Sequence, residues 1–153
     1  MIDAQEIRLI GRQIIRDGRS LLQYVGEAFP YAPHQAEPAV HRLESLAKEQ
    51  SAAVGRLIRF LQRHHATPPL LGSFPSEFTS ANFVALIHLL PALLKEEQEG
   101  IAELERSLAV LPHGEVRDLL ADYLQTKRRT LDTLNEICRL DAVAERAEPS
   151  VAP

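Results

Sequence analysis

Apolar residues recur in steps of three and four along four stretches of this chain, and each stretch predicts an amphipathic helix. The first carries Ile7, Ile10, Ile14, Leu21 and Val25. Asp3 with Glu6 three residues on forms a loose capping box ahead of it, so the helix is predicted over about 3–26. Phe29-Pro30-Tyr31-Ala32-Pro33 closes it, because Pro33 cannot continue a helix. The second helix starts near Glu37, with Pro38 tolerated in the first turn, and ends at Arg63-His64-His65. Its central line is Val40, Leu43, Ala47, Gln50, Val54, Leu57 and Leu61, widened by Leu46, Ala53 and Phe60. A stripe that wide suits a bundle better than a two-stranded coiled coil. The third helix begins near Thr79 or Ser80 and runs to about Val110, through Leu90, Leu94, Glu97, Ile101 and Leu104, with Pro91 expected to kink or split it. The fourth covers about 115–140, with Val116, Leu120, Leu124, Lys127, Leu131, Leu134 and Cys138 in line. Residues 141–153 carry no stripe and are expected to be a disordered tail.

The turns after the first and third helices are short, so each adjacent pair should form an antiparallel hairpin. The connection between the second and third is long and rich in proline, Ala66-Thr67-Pro68-Pro69-Leu70-Leu71-Gly72-Ser73-Phe74-Pro75. A helix of about 27 residues is about 40 Å long, and about 13 extended residues reach about 45 Å. The connection can therefore cross the length of the bundle. The expected fold class is all-α: residues 1–140 as one four-helix bundle, two antiparallel hairpins joined by a long crossover. An up-down-up-down bundle with a slack loop is the alternative.

Leu43, Leu46, Ala47, Glu49 and Leu57 carry a more specific signal. Their spacing resembles the second helix of the rubrerythrin and bacterioferritin-like proteins of the ferritin-like superfamily. That helix commonly reads Leu-x-x-Leu-Ala-x-Glu-Glu-x-x-His-Ala-x-x-Leu. The resemblance implies a ferritin-like bundle, commonly dimeric along its first two helices, with a carboxylate-bridged di-iron centre. The family's ligand Glu falls here on Gln50 and its ligand His on Ala53. Glu97 stands on the third helix's core line, where the family places a ligand Glu. Lys127 and Thr130 stand where the fourth helix would repeat Glu-x-x-His. Asp17, seven residues before Tyr24, matches the first helix's acid, although the adjacent Gly18 fits the apolar stripe equally well.

A di-iron centre needs about four carboxylates and two imidazoles converging between the helices. An amide at Gln50 and a cation at Lys127 do not supply them. The chain thus reads as a degenerate member of that superfamily, with no cofactor expected and a buried polar cluster of Asp17, Gln50, Ala53, Glu97, Lys127 and Thr130 at the former metal positions. Lys127 either pairs with Glu97, with Gln50 and Thr130 adding hydrogen bonds, or buries its stem and reaches out to solvent.

Composition narrows the rest. Among the 153 residues 45% are hydrophobic and 25% charged, ordinary for one globular domain. The net charge of −4 provides no overall basic footprint for nucleic acid, so no nucleic-acid partner is expected. Cys138 is the one cysteine, which excludes an intramolecular disulfide and a cysteine-based zinc site. No apolar run approaches a membrane span and no secretory leader is recognisable, so the expectation is a cytoplasmic protein without a membrane partner. His41, Glu44 and His88 form an alternative metal set, weighed against solvent-facing histidines.

Three classes of function remain. The first is a non-catalytic helical module acting through its surface, self-associating as a dimer or meeting an unknown protein, with Leu70, Leu71 and Phe74 as an apolar patch. The second is an iron- or other metal-binding protein with an atypical site. The third is a small-ligand binder at the midpoint, where Gly18, Ala47, Ala53 and Gly100 leave room. The first is favoured, and no enzymatic activity is expected.

Overall fold

A computed structural model describes residues 1–28, 37–83 and 85–147, and the chain is all-α. The order is α1 (Ala4–Gly18), α2 (Leu21–Ala28), α3 (Glu37–Arg63), a 3-10 helix (Ser76–Phe83), α4 (Leu86–Val110) and α5 (Glu115–Ala147). The capping box forms as expected: Asp3 Oδ1 accepts from the Glu6 amide, and Glu6 Oε2 accepts from the Asp3 amide. The turn expected at residues 29–33 lies outside the described residues.

Three boundaries depart from the sequence pattern. The first predicted helix is two helices, broken after Gly18 at Arg19, whose φ of −128° and ψ of 38° are not helical. Ser20 caps α2, its hydroxyl accepting from the Gln23 amide at 3.2 Å, while Glu96 Oε1 reaches over from α4 to the Leu21 amide at 3.0 Å. The signal was present as Ser20-x-x-Gln23 behind a glycine, a capping pattern that the continuous apolar stripe masks. The second departure is at α4, which starts at Leu86 because the preceding residues take the tighter 3-10 form. Pro91 does not split α4: it lies in the second turn and the helix continues through it. The third is at α5, which continues to Ala147, seven residues into the stretch expected to be a tail.

The core falls into two apolar clusters. One joins Ile10 and Ile14 of α1 to Val54, Leu57, Phe60 and Leu61 of α3, Ile101 and Leu104 of α4, and Val116 and Leu120 of α5. The other joins Leu22 and Val25 of α2 to Leu43 and Leu46 of α3, Leu86, Leu90 and Leu93 of α4, and Leu134 and Ile137 of α5. In every helical segment the residues between the two sets include a buried polar one: Asp17 and Ser20, Gln50, Glu97, Lys127 and Thr130.

The long connection lies along α1 and α2. Pro69 passes Gly11, Leu71 sits over Gly18, and Phe74 meets Tyr24 edge-on at 5.3 Å. The Gly72 carbonyl accepts from Arg19 Nε at 2.7 Å, and the Arg19 guanidinium stacks 5.0 Å from the Phe74 ring. Leu71 and Phe74 therefore serve the bundle itself, and only Leu70 of the expected apolar patch is exposed, at 95%.

Close approach of α2 to α3 rests on two small residues. A Cβ at Gly26 would lie 2.9 Å from the Ala47 Cβ, and neither atom can rotate away. Gly26→Ala should destabilise the fold by about 1–3 kcal/mol through overpacking. In chemical denaturation, adding Ala47→Gly should cost less than the two single changes together. A neutral Gly26→Ala would show that the helices stand further apart.

Candidate functional site: a buried ionic cluster

The polar layer divides into an ionic half and a neutral half. In the ionic half Lys127 of α5 holds its ammonium inside, with only 4% of the side chain exposed. Its Nζ donates to both oxygens of Asp17, at 3.0 Å and 2.9 Å, and lies 3.2 Å from Glu97 Oε1. The Glu97 contact is an ion pair without hydrogen-bond alignment, since that oxygen has no geometrically sound donor. Tyr123, one turn before Lys127, donates its hydroxyl to Asp17 Oδ2. Snorkelling is thus excluded, and Asp17, rather than Glu97, is the principal partner.

Glycine 100 makes space for this arrangement. A Cβ there would sit 3.2 Å from the Lys127 Cε and Nζ and 3.0 Å from Arg16 Nε. Arg16 in turn donates to Glu103 at 2.7 Å. Of the small residues expected to leave room at the midpoint, Gly100 is crowded by Lys127 and Arg16 and Gly18 by Leu71, Ala47 lies against Gly26, and Ala53 lines an open groove between α3 and α5.

The neutral half is separate. Gln50 Oε1 accepts from Ser20 Oγ at 2.7 Å and from Gln23 Nε2 at 3.0 Å, and Gln23 Nε2 also donates to the Ala47 carbonyl at 2.6 Å. Gln50 therefore gives Lys127 nothing. Neither does Thr130, whose hydroxyl donates back to the Thr126 carbonyl at 3.1 Å. Ala53 is 1% exposed and packs in the apolar cluster beside Val54 and Leu57. Gln13 is buried with its Oε1 unpaired. The sequence reading missed Ser20, Gln23 and Tyr123. The capping pattern could have revealed the first two. Tyr123 falls one position off the apolar line through Leu120 and Leu124, so periodicity alone does not single it out.

Burial and charge act differently on the members. Glu97 is pushed up to about 7, because desolvation outweighs the attraction of Lys127 and the Asp17 charge adds to it. For Lys127 burial works against the charged form, but Asp17 and then Glu97 overcome it and the net shift is upward. Burial and the Asp17 carboxylate both drive the Tyr123 hydroxyl well above its ordinary value. Glu96, half-buried nearby, is raised by desolvation against the Leu21 amide and Arg16. At neutral pH the centre therefore holds an ammonium at Lys127, a neutral phenol at Tyr123 and a carboxyl at Glu97 poised between its two forms.

These residues do not fit a di-iron centre. Two carboxylates converge, but on an ammonium that would repel a metal cation, and Gln50 and Ala53 offer no ligand in place of the missing pair. Among the described residues no three His, Cys, Asp or Glu side chains converge so as to hold a metal. In the alternative set, His41 Nδ1 meets Glu44 Oε2 at 3.6 Å on the surface, and the exposed His88 does not join them. No helix among the described residues is long and apolar enough to cross a membrane. No protein-family model, curated protein or solved structure matches the chain.

Two tests follow from this geometry. Lys127→Met strands two buried carboxylates and should cost about 3–5 kcal/mol; an unchanged melting temperature would mean that the ion pairs are absent. The second concerns Glu97, whose folded value lies above the ordinary 4.5. The native chain then holds this proton more tightly than the unfolded chain. Its contribution to stability is full below about pH 4.5 and is lost as pH rises through about 7. Glu97→Gln should flatten that decline in melting curves between pH 5 and 8, and an unchanged slope would place the titration elsewhere.

Proposed function

We propose that the chain is a non-catalytic, ferritin-like helical module in which a lysine ammonium takes the place of a metal centre, and which acts through its surface. The observation that carries this reading is Lys127 Nζ between Asp17 and Glu97, midway between two apolar clusters. The cluster memberships support the ferritin-like connectivity. Helix α1 shares a cluster with the ends of α3 and α4 and the start of α5. Helix α2 shares the other with the starts of α3 and α4 and the end of α5. Such sharing is what two antiparallel hairpins with parallel middle helices require, and the connection lying along α1 and α2 agrees with a crossover.

Self-association through the α1 side is the surface action this reading favours. Ile15 is 52% and Leu70 95% exposed, and both line one shallow apolar groove with Leu71 and Phe78. A second copy would cover them. Two measurements test the proposal. Metal analysis of protein purified without chelator should find no stoichiometric metal; about two irons per chain would refute the reading. Sedimentation should give a dimer at micromolar concentration that Ile15→Glu with Leu70→Glu converts to monomer. A monomeric parent would remove self-association from the proposal and leave the metal-free centre standing.

A further inference from the structure

Beyond Glu49, every charged residue of α3 is an arginine: Arg56, Arg59 and Arg63. At spacings of three and four they share one helix face, over about 10 Å of axis. Arg129 of α5 lines a groove of about 430 Å³ together with Arg56. That groove is floored by Ala53, Leu57 and Leu119, with the Tyr123 ring at its base. A second open depression lined by Arg56, Arg59 and Arg63 shares Arg56 and Leu119 with it, so the two form one trough.

The trough holds four guanidiniums against one carboxylate, Asp122, on a chain whose net charge is −4. Elsewhere Arg16, Arg42 and Arg128 are each matched to a glutamate within 3.0 Å. None of the four has an acidic side chain within ion-pair distance among the described residues. Arg63 lies 5.9 Å over the Phe60 ring, and Arg129 donates to the Thr126 hydroxyl at 3.2 Å. Arg59 folds back over Gly55, with Nη1 3.4 Å from where a Cβ would stand. The helix dipole accounts for Arg63 in the last turn, but its effect has faded by Arg59 and Arg56. Neighbouring like charges on a helix repel, so the row is unfavourable until an anion neutralises it.

We infer that the α3–α5 trough is a binding site for a soluble oligophosphate anion, held by Arg56, Arg59, Arg63 and Arg129. Guanidinium forks pair with phosphate oxygens two at a time, and three in a row with a fourth across the groove match several linked phosphates better than one. This site extends the surface role proposed above to a face that does not include Ile15 or Leu70, and it does not depend on self-association.

Tripolyphosphate is the direct probe, titrated calorimetrically into the full chain at low and at physiological salt. Saturable binding is expected, weakening as salt rises. Arg59→Ala with Arg129→Ala should reduce affinity at least tenfold. Arg8→Ala with Arg106→Ala removes the same charge from exposed positions outside the trough and should leave it unchanged. Circular dichroism melts of both pairs check that folding is intact. Absence of binding at low salt, or an equal loss in both pairs, overturns the site. Retention on phosphoinositide vesicles without tripolyphosphate binding overturns it too, since the ligand would then be a membrane surface. Failure here leaves the metal analysis and the sedimentation result untouched.

Discussion

One ammonium ties this bundle together. Lys127 leaves α5 and meets a carboxylate from α1 and another from α4, so three helices are fixed at one level by a single charge. Moving an ammonium and two carboxylates out of water costs several kcal/mol per ion, and attraction in the interior recovers that only where geometry is good. The geometry shows what it requires. Asp17 gives both oxygens to Nζ, and Tyr123 supplies Asp17 with a further donor. Gly100 keeps α4 bare where the lysine stem passes. Glu97 receives less, and its raised proton affinity records the shortfall. The trio is consequently asymmetric: one tight pair with a second acid that can go neutral.

The break at Gly18-Arg19-Ser20 is the second constraint. A continuous helix would not free the Leu21 amide and Ser20 hydroxyl to turn inward. Broken, the chain directs Ser20 onto Gln50 and lets Glu96 cap the start of α2. The same break frees the Gly18 carbonyl to accept from Arg19 and places Leu71 over Gly18. One local interruption therefore completes the neutral half of the polar layer and anchors the long connection.

Helical periodicity made the all-α class, the span of α3 and the buried level of Gln50, Glu97 and Lys127 legible, because a polar residue on an otherwise apolar line must lie inside. It could not choose Lys127's partner. Glu97 stands on the core line and looked the better acid, whereas Asp17 competed with Gly18 for the inward position. The choice depends on where the α1 break aims residue 17, and the apolar stripe runs through that break without a change of phase. Local chemistry carries what periodicity does not: Ser20 with Gln23 is a capping pair, and a capping pair inside a predicted helix is an argument for two helices. The inward packing of Leu71 and Phe74 is illegible for a different reason. A connection that lies along helices has an inner and an outer edge, and alternation over ten proline-rich residues does not reveal which is which.

A metal centre and an ammonium centre differ in one consequential respect. A metal ion can leave, exchange or change charge, and its ligands are then free to act on something else. The ammonium of Lys127 is covalently part of α5 and can only lose a proton, which Asp17 and Glu97 oppose. Replacing such a buried trio with hydrocarbon is often neutral or stabilising, so its presence is not explained by stability alone. What it supplies is register. Apolar faces tolerate sliding, whereas an ammonium shared by acids on two other helices is satisfied at one level only. On this reading the centre sets the level of α5 against α1 and α4, and with it the level at which Arg129 of α5 lines the trough.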